Sequence, residues 1–553
     1  MEQKTPKEDQ NGAENLEFSP VLEASWAKYV PGPSINRLLK FEGRKMINCI
    51  LALSGSFIIF FGYDASVMSQ VNDNVDYERL MGVNNGTDRD SAAKGGIVSI
   101  WFLGFGLGAI MVGSYADRIG RLRTAFLGCL WALLGAALQC SAQNITWMMF
   151  SRIINGIGCG HLNTVVPLWT SEIAEPRMRG MFVATQFTLA LAGSTIVYWM
   201  EYGLSIHESA PLAWRFPIGF QMLFLFINMC AIPFFPESPR YLFSVGKVEE
   251  AKLVLERCRL DPSPEAIDEE MSAILMDLNL EVGHAVGWKT LLMPFFGQKD
   301  PMHNLRRVVL GAGVQVMQKL TGIDFIATYA PQMFQLSGFS ANRSTLLAGG
   351  NFFVYWLSLA TAIYTIDNVG RRKLMLSGLV SMFVVLFIGG GLAYKIRADP
   401  DASNITAMGN GICAVLYLYT FAYGSTWLTV CWLYPSEIFS LQTRSKGAAI
   451  AVIAFSLTGG AINEIVPYLI KAVHYWVFFI FGFLNLGMIV PVYLFYLETS
   501  RRTLEDLDIL FMSSSPFVWR AERDYEKNKE DIQDRGLHQS DTKEELEYIE
   551  EDT

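Results

Sequence analysis

Residues 113–123 read GSYADRIGRLR, and residues 365–373 read TIDNVGRRK. In each stretch an aspartate is followed four residues later by an arginine, Asp117 before Arg121 and Asp367 before Arg371. Both stretches come directly after a long apolar run. A charged motif that recurs at equivalent places predicts a chain built from two related halves.

Two further pairs of connectors repeat in the same order, and the spacing from acid to arginine is the same within each pair. SEIAEPRMRG at 171–180 matches SEIFSLQTRS at 436–445, and PESPRYL at 236–242 matches LETSRRTL at 497–504. The residues concerned are Glu172 and Arg179, Glu437 and Arg444, Glu237 and Arg240, and Glu498 and Arg501. A single cluster of this kind is typical of a solvated loop, whereas three matched pairs indicate an internal duplication.

The composition indicates a membrane protein. The chain has 553 residues, of which 51% are hydrophobic and only 18% are charged, and a soluble chain is usually more polar. Twelve mostly apolar runs have about the 20 residues that a membrane-spanning helix needs. The runs are 46–68, 95–115, 124–142, 147–169, 181–202, 216–235, 307–336, 345–366, 374–394, 408–434, 446–470 and 475–497. They predict an all-α membrane protein with twelve transmembrane helices in two pseudo-symmetric six-helix bundles.

The polar segments set the expected domain boundaries. We expect an N-terminal tail, a first bundle, a helical linker, a second bundle and a C-terminal tail, at 1–45, 46–235, 236–306, 307–497 and 498–553. In the linker, VEEAKLVLERCRL and AIDEEMSAILMDLNLEV have the amphipathic spacing of surface helices. The acidic end of the C-terminal tail is predicted to be disordered.

Charge distribution predicts the orientation. Arginine and lysine cluster in the connectors after runs two, four, eight and ten, in the linker, and in the flank after run twelve. Such clusters mark the cytoplasmic side. Both termini are therefore expected in the cytoplasm. Four glycosylation sequons lie in connectors of the other side, which agrees with this topology, and they begin at Asn85, Asn144, Asn342 and Asn404.

Several function classes are disfavoured by the sequence. Seven of the eight cysteines lie in or beside apolar runs, so we expect buried cysteines without a functional role and no disulfide framework. We find no metal-ligand constellation, no nucleophile with a base, and no phosphate-binding loop. No basic patch suits nucleic acid. The sequence thus predicts that the protein is not an enzyme and has neither cofactor nor metal.

The quoted connectors, together with PLWTSEIAEPRMRG, LYPSEIF and LETSRRTLEDLD, resemble the signature blocks of the sugar porter family of the major facilitator superfamily. The resemblance runs from about Met46 to Phe511 and is strongest to fungal members. It implies alternating access, a sugar or polyol substrate, and a monomer in the lipid bilayer of the plasma membrane. Acid–arginine pairs at the cytoplasmic helix ends would suit a latch that joins the two halves in one state.

Asp64 follows an apolar run in IFFGYDASVMSQ at 59–70, and a carboxylate at membrane depth is costly unless it is paired, hydrated or protonated. Run one meets Asp64 late and run four meets Arg152 early, so both lie in the outer part of the membrane. We predict that they pair. If the arginine approaches in only one state, the carboxylate exchanges a proton during transport.

Other interpretations of this pair remain open. It could be a static structural ion pair, or the aspartate could reach the membrane surface. Proton symporters of the family resemble this chain in having aspartate and arginine at these positions, but some of its facilitators also have the aspartate. Asp64 and Arg152 therefore permit proton coupling without proving it.

The resemblance also implies substrate-binding residues. Gln186 in VATQFTLA, Gln318 in VQVMQKLTGIDFIATYAP and Trp432 in TVCWLYPSE match sugar-binding positions of the family, and Asp324 stands where an asparagine is usual. Amides and an aromatic face suit the hydroxyls and the apolar face of a sugar. For any one of them, packing or contact between helices is the alternative.

Other positions depart from the family pattern, namely Lys319, Thr328, Tyr355, Phe455, Ser456 and Glu464. Lys319 stands in place of the second glutamine of a pair. We favour neutralisation of Lys319 by Asp324 or Glu464, because a buried lysine beside two acids should pair. The alternative is that Lys319 attracts an anionic substrate such as a sugar acid.

Three hypotheses for the function follow. The first is import of a sugar together with a proton, the second is a facilitator with the same fold, and the third is a nutrient sensor on a transporter scaffold. The short tails and the presence of Asp64 and Arg152 favour transport. The sequence leaves open whether the substrate is a hexose, pentose, disaccharide, polyol or uronic acid.

Overall fold

The structure is a computed structural model, and every regular element among its described residues is a helix. The described residues are 26–33, 40–85, 87–175, 179–205, 211–260, 262–283, 303–336, 338–399, 404–439, 443–500, 502, 504–511, 513 and 515–527.

Twelve long helical elements coincide with the twelve predicted runs. The first six are α1 (Gly43–Ser66), α2 (Asp88–Ile119), α3 (Arg121–Cys140), α4 (Ile145–Ile173), α5 (Arg179–Leu204) and α6 (Leu212–Ala231). The second six are α7 (Asn304–Leu320), α8 (Ala341–Val369), α9 (Arg371–Ala398), α10 (Ile405–Tyr423), α11 (Arg444–Val473) and α12 (Trp476–Phe495). Nine of the elements in the described residues are by themselves long and apolar enough to cross a membrane, and α4, α5 and α7 complete the twelve.

Helix packing shows the duplication directly. In the first six helices α1 packs on α5 and α3 packs on both α4 and α6. In the second six α7 packs on α11 and α9 packs on both α10 and α12. Two seams join these halves, α2 against α11 and α5 against α8, and the two seams exchange under the same pseudo-symmetry. The predicted two-bundle fold is therefore confirmed.

Glycines let α2 and α4 approach until their backbones touch. A β-carbon on Gly104 would collide with the Ile153 carbonyl oxygen, and one on Gly156 would collide with the carbonyl oxygen of Trp101. Gly160 meets the backbone of Phe105 in the same way. This close approach fixes Trp101 against α4, which matters for the site described below.

Two helices are interrupted within the predicted spans, which the apolar runs do not predict. After α7 the chain turns at Thr321 and continues as two short helices, Ile323–Thr328 and Ala330–Leu336. The carbonyl oxygen of Thr321 accepts hydrogen bonds from Tyr419 at 2.8 Å and Asn485 at 2.9 Å, so the freed backbone is satisfied by neighbouring helices. After α10 a π-helical turn at Gly424–Leu428 leads into Thr429–Ile438.

The linker contains the predicted amphipathic helices as Val248–Cys258 and Pro264–Gly283, after a short helix at Pro239–Ser244. Beyond α12, Leu504–Phe511 is helical, and Arg306 at the start of α7 donates a hydrogen bond to the Pro516 carbonyl oxygen at 3.0 Å. Part of the C-terminal tail is thus folded onto the second bundle. The acidic stretch predicted to be disordered, the first 25 residues and linker residues 284–302 lie outside the described residues.

The contact between α2 and α4 makes a testable prediction. Gly156→Ala should force the two backbones apart and lower the free energy of unfolding by about 1–3 kcal/mol, the usual cost of overpacking. The measurement is the melting temperature of the purified protein in detergent. Gly487→Ala is the matched control, because a β-carbon there meets no atom within 4 Å. Equal melting temperatures for the two variants would contradict the packing described here.

Candidate functional site

Asp64 and Arg152 come together inside the first bundle, as the sequence predicts. Asp64 is fully buried near the end of α1, and Arg152 is 1% exposed in the second turn of α4. Arg152 Nη1 lies 3.9 Å from Asp64 Oδ1, and neither atom has a hydrogen-bond partner. The two charged groups therefore face each other with a gap that is longer than a hydrogen bond.

The second oxygen of Asp64 is held by neutral donors. Trp101 Nε1 of α2 donates to Asp64 Oδ2 at 2.8 Å, and Cys159 Sγ of α4 donates to the same atom at 3.0 Å. Trp101 Nε1 also lies 3.0 Å from Asn155 Oδ1, and Arg152 lies over the Trp101 ring at 5.6 Å. Three helices thus position one carboxylate.

Our sequence reasoning missed Trp101, Asn155 and Cys159. Cys159 is buried, as expected for a cysteine in an apolar run, and it also donates a hydrogen bond to Asp64 that the sequence did not predict. Arg152, Asn155 and Cys159 follow each other at intervals of three and four residues, which places them on one face of a helix. That spacing was a usable signal. Nothing in the sequence pointed to Trp101.

Gln186 lies on α5, Gln318 on α7, and Trp432 on the helix Thr429–Ile438 that follows α10. Gln186 Nε2 donates to Thr170 Oγ1 of α4 at 2.8 Å, and Gln318 Nε2 donates to the Tyr423 hydroxyl at 2.9 Å. The Gln318 Oε1 atom has no partner, although it is buried. The Trp432 ring packs against Phe187 of α5 at 6.1 Å between centroids, so it contacts both bundles.

Lys319 and Asp324 form an ion pair across the interruption of α7. Lys319 Nζ lies 2.9 Å from Asp324 Oδ1, and Asn463 of α11 donates to Asp324 Oδ2 at 3.2 Å. Of the two pairings favoured above, the one with Asp324 is confirmed. The other acid, Glu464, instead lies against Gly95 and Gly96 of α2.

Of the remaining departures from the family pattern, Phe455 contacts this pair directly, with Lys319 Nζ 4.2 Å from its ring. Phe455 packs on Trp432 at 5.1 Å, and the Ser456 hydroxyl donates to the Phe102 carbonyl oxygen of α2. Tyr355 of α8 packs edge-to-face on Tyr423 at 5.9 Å. Thr328 is the last residue of the short helix that follows the interruption of α7.

A row of aromatic rings connects the two sites. The ring of Trp101, which binds Asp64, lies 5.2 Å from Phe105. Phe105 lies 6.0 Å from Phe455, and Phe455 contacts Trp432. The row crosses the seam between α2 and α11. Movement of one bundle against the other would therefore change ring contacts next to both Asp64 and Trp432.

The predicted charged connectors form a network at the end of the molecule where α1 begins and α12 ends, called here the tail end. In the first bundle Arg121 binds Glu172 with Nε at 2.9 Å and Nη2 at 3.0 Å, and it also contacts Asp117 at 3.1 Å. Glu237 accepts a hydrogen bond from the backbone N–H of Arg121 at 3.1 Å, and Ser238 donates to Glu172. Burial raises the pKa of Glu237, while the backbone N–H of Ser238, the charge of Arg121 and the backbone N–H groups of Leu122 and Arg121 oppose the shift.

The second bundle repeats the main contacts of this network. Arg371 binds Glu437 with Nη2 at 2.8 Å, and Glu498 accepts from the backbone N–H of Arg371 at 2.8 Å. Thr499 donates to Glu437 at 2.5 Å, in the place of Ser238. The internal duplication therefore extends to individual hydrogen bonds.

Both networks need a glycine at the start of α3 or α9. Gly120 has φ +99° and Gly370 has φ +95°, a region that favours glycine. A β-carbon would lie 2.7 Å from Glu237 in the first case and 2.6 Å from Glu498 in the second. The glycines thus admit the carboxylates to the helix N-termini.

The latch residues are only partly described. Arg240 lies half-buried in the short helix Pro239–Ser244, while the side chains of Arg179, Asp367, Arg444 and Arg501 lie outside the described residues. The pairs named above each stay within one bundle. A latch between the bundles therefore remains a prediction.

Contacts that join the bundles appear at the end opposite to the tails. Gln332 Nε2 donates to Asp73 Oδ2 at 2.7 Å, and the Tyr198 hydroxyl donates to the Thr345 carbonyl oxygen at 3.1 Å. An exposed ion pair between Lys471 and Asp88 at 2.6 Å adds to them. The two bundles are thus closed upon each other at this end.

Comparison with known proteins adds independent information. A family model described as "Sugar (and other) transporter" matches residues 48–511. An MFS-type transporter of Aspergillus oryzae is 31% identical over 463 residues, which cover 83% of this chain and 84% of the relative. A high-affinity glucose transporter of Kluyveromyces lactis is 27% identical over 493 residues, 86% of each chain.

Among solved structures, the proton:xylose symporter XylE bound to 6-bromo-6-deoxy-D-glucose matches with a TM-score of 0.71 at 23% identity. The match covers 84% of this chain and 99% of that chain. This likeness supports the arrangement of helices described above.

The tail-end network predicts the effect of losing Arg121. Arg121→Ala leaves Glu172 buried without its cation, which typically costs about 3–5 kcal/mol of stability. We expect a lower melting temperature and less protein at the cell surface, measured on a fluorescent fusion. The matched control is Arg118→Ala, because Arg118 is exposed in the last turn of α2. A stable Arg121→Ala protein would show that the network does not support the fold.

Proposed function

This chain belongs to the sugar porter family of the major facilitator superfamily, and we propose that it carries a sugar or related carbohydrate across the plasma membrane together with a proton, by alternating access. The observation that carries the proposal is the buried pair of Asp64 and Arg152, whose facing atoms are unpartnered. Its relatives include a transporter named for glucose and a symporter named for protons and xylose.

The geometry of Asp64 supports a proton-carrying role. With Oδ2 held by two neutral donors, Oδ1 is the atom free to take a proton. A protonated Oδ1 needs no cation, and Arg152 can then remain at 3.9 Å. Once the proton leaves, the buried carboxylate needs compensation, and a small approach of Nη1 would supply it. Protonation and the α1–α4 contact are thereby linked.

The interior side chains support a carbohydrate as the substrate. Gln186 and Gln318 offer amides for hydroxyl groups, and Gln318 Oε1 is a buried acceptor without a partner. Trp432 and Phe455 offer ring faces for the apolar side of a pyranose. Because the row of rings connects Phe455 to Trp101, a bound sugar and the protonation of Asp64 can favour the same arrangement of the bundles.

Alternating access draws support from the closed end opposite to the tails. In the proposed cycle that end faces outward and the tails are cytoplasmic. The contacts of Asp73 with Gln332 and of Tyr198 with Thr345 break when the carrier opens outward. The charged networks of the tail end would then form the latch between the bundles. We propose that a single chain performs this cycle.

Asp64→Asn tests proton coupling. The amide keeps the shape but cannot exchange a proton, so we expect concentrative uptake of labelled sugar to fall to equilibration, with exchange of sugar across the membrane retained. A protonophore should collapse the gradient formed by the unchanged protein and leave the variant unaffected. The measurement is accumulation and counterflow in a transporter-deficient yeast, after a panel of hexoses, pentoses, disaccharides and polyols has identified a substrate.

Asp268→Asn is the matched control, because this carboxyl lies in the linker helix Pro264–Gly283, outside the tail-end network, with 62% of its side chain exposed. It should accumulate sugar as the unchanged protein does. Accumulation that survives both Asp64→Asn and the protonophore would rule out proton coupling and favour the facilitator. A protein at the cell surface that moves no carbohydrate in either direction would favour the sensor.

A cross-link at the closed end tests alternating access. Asp73→Cys combined with Gln332→Cys places two thiols where the side chains now hydrogen-bond. A short thiol-specific cross-linker should stop uptake, because the outer end can no longer open, and a cleavable linker should restore it on reduction. Each single variant treated in the same way is the control. Undiminished uptake by the fully cross-linked protein would contradict the proposed cycle.

A further inference from the structure

The ion pair of Lys319 and Asp324 occupies a favourable place in the backbone. Lys319 lies in the last turn of α7, and Asp324 lies in the first turn of the short helix that follows. Cations are stabilised at helix C-termini and anions at helix N-termini. The interruption of α7 therefore holds a positive and a negative charge side by side.

The charges of Lys319 and Asp324 are largely compensated by neighbouring groups. The ammonium of Lys319 donates to Asp324 and otherwise faces two rings, Phe455 at 4.2 Å and Phe102 at 5.0 Å. The second oxygen of Asp324 accepts from Asn463. The side chains of Lys319 and Asp324 are only 7% and 13% exposed. A ligand in the interior thus meets a pair with no net charge.

The pair borders the side chains proposed to bind substrate. Gln318 precedes Lys319 in the chain, and Phe455, which covers the ammonium, also packs on Trp432. Phe102 comes from the other bundle, so the pair lies at the seam between them. A carbohydrate held by Gln318 and Trp432 would have its polar edge close to Lys319 and Asp324.

We propose that Asp324 sets the charge selectivity of this transporter: by masking Lys319 it admits neutral carbohydrates and excludes sugar carboxylates. The inference rests on the proposed transport of a carbohydrate. An incoming carboxylate could reach Lys319 only by displacing Asp324, which would leave a buried carboxylate without a cation.

The mask can be removed without changing the size of the side chain. In Asp324→Asn the ammonium of Lys319 keeps its position beside the two rings but loses its counter-charge. A sugar acid could then supply the missing carboxylate. Neutral sugars gain nothing from this change, so the preference between a uronic acid and its parent hexose should move toward the acid.

The test is competition for uptake of a labelled neutral substrate by two matched pairs, glucose with glucuronate and galactose with galacturonate. The members of each pair differ only by oxidation at the terminal carbon. For the unchanged protein we expect inhibition by a neutral hexose and little by its acid. In Asp324→Asn the inhibition constant of the acid, relative to its parent, should fall about tenfold or more, as one charge-assisted hydrogen bond would give.

Two controls distinguish an effect of the unmasked Lys319 charge from an effect of a disturbed fold. Asp324→Asn combined with Lys319→Gln lacks the free ammonium and should lose the gain. Glu464→Gln removes a neighbouring carboxyl that does not bind Lys319 and should show no gain of similar size. Surface expression is measured for every variant, and Asp324→Ser replaces Asp324→Asn if the latter does not reach the surface.

The outcomes distinguish failure of the charge selectivity from failure of carbohydrate transport. If uptake by the unchanged protein is inhibited equally by the acid and by its parent hexose, the proposed charge selectivity is refuted, while carbohydrate transport stands. The same holds if a surface-expressed variant lacking Asp324 shows no shift, or if the double variant keeps the shift. If the unchanged protein moves no carbohydrate at all, the proposed function and this inference both fail.

Discussion

The structure depends on the compensation of charge where water is excluded. A bare carboxylate inside a bilayer is costly, so each buried acid must have a cation, a set of donors or a proton. Asp64 has Trp101 and Cys159 as donors and Arg152 at a distance longer than a hydrogen bond. In the proposed cycle this incomplete contact allows the pair to change, because protonation of a fully hydrogen-bonded ion pair would first have to break its hydrogen bonds.

The buried acids of the tail-end networks have hydrogen-bonded partners within their own bundle. Glu172 and Glu437 each have an arginine, while Glu237 and Glu498 cap the backbone of α3 and α9. The two halves are nearly identical here. In the interior of the bundles they differ, since the first half holds Asp64 with Arg152 and the second holds Lys319 with Asp324. The two halves thus share the same helix arrangement and tail-end networks. The residues proposed for proton coupling and charge selectivity lie where the halves differ.

The distribution of apolar residues along the chain predicted the helices well. Twelve apolar runs gave twelve helical elements, and the linker periodicity gave two amphipathic helices, because helix formation and membrane insertion depend on local composition. The interruption at Thr321 was not predictable in this way. It persists because Tyr419 and Asn485 of other helices satisfy the freed carbonyl oxygen, which no local pattern records.

The sequence by itself determined the duplicated charged connectors, the pairing of Asp64 with Arg152 and the neutralisation of Lys319 by a nearby acid, because few charges at membrane depth leave few possible partners. Only the tertiary structure decided that Asp324 rather than Glu464 pairs with Lys319, and that Trp101, Asn155 and Cys159 surround Asp64. Those choices depend on which helix faces meet, and helix packing is set by close contacts such as that of Gly156 with Trp101, which lie far apart in the chain.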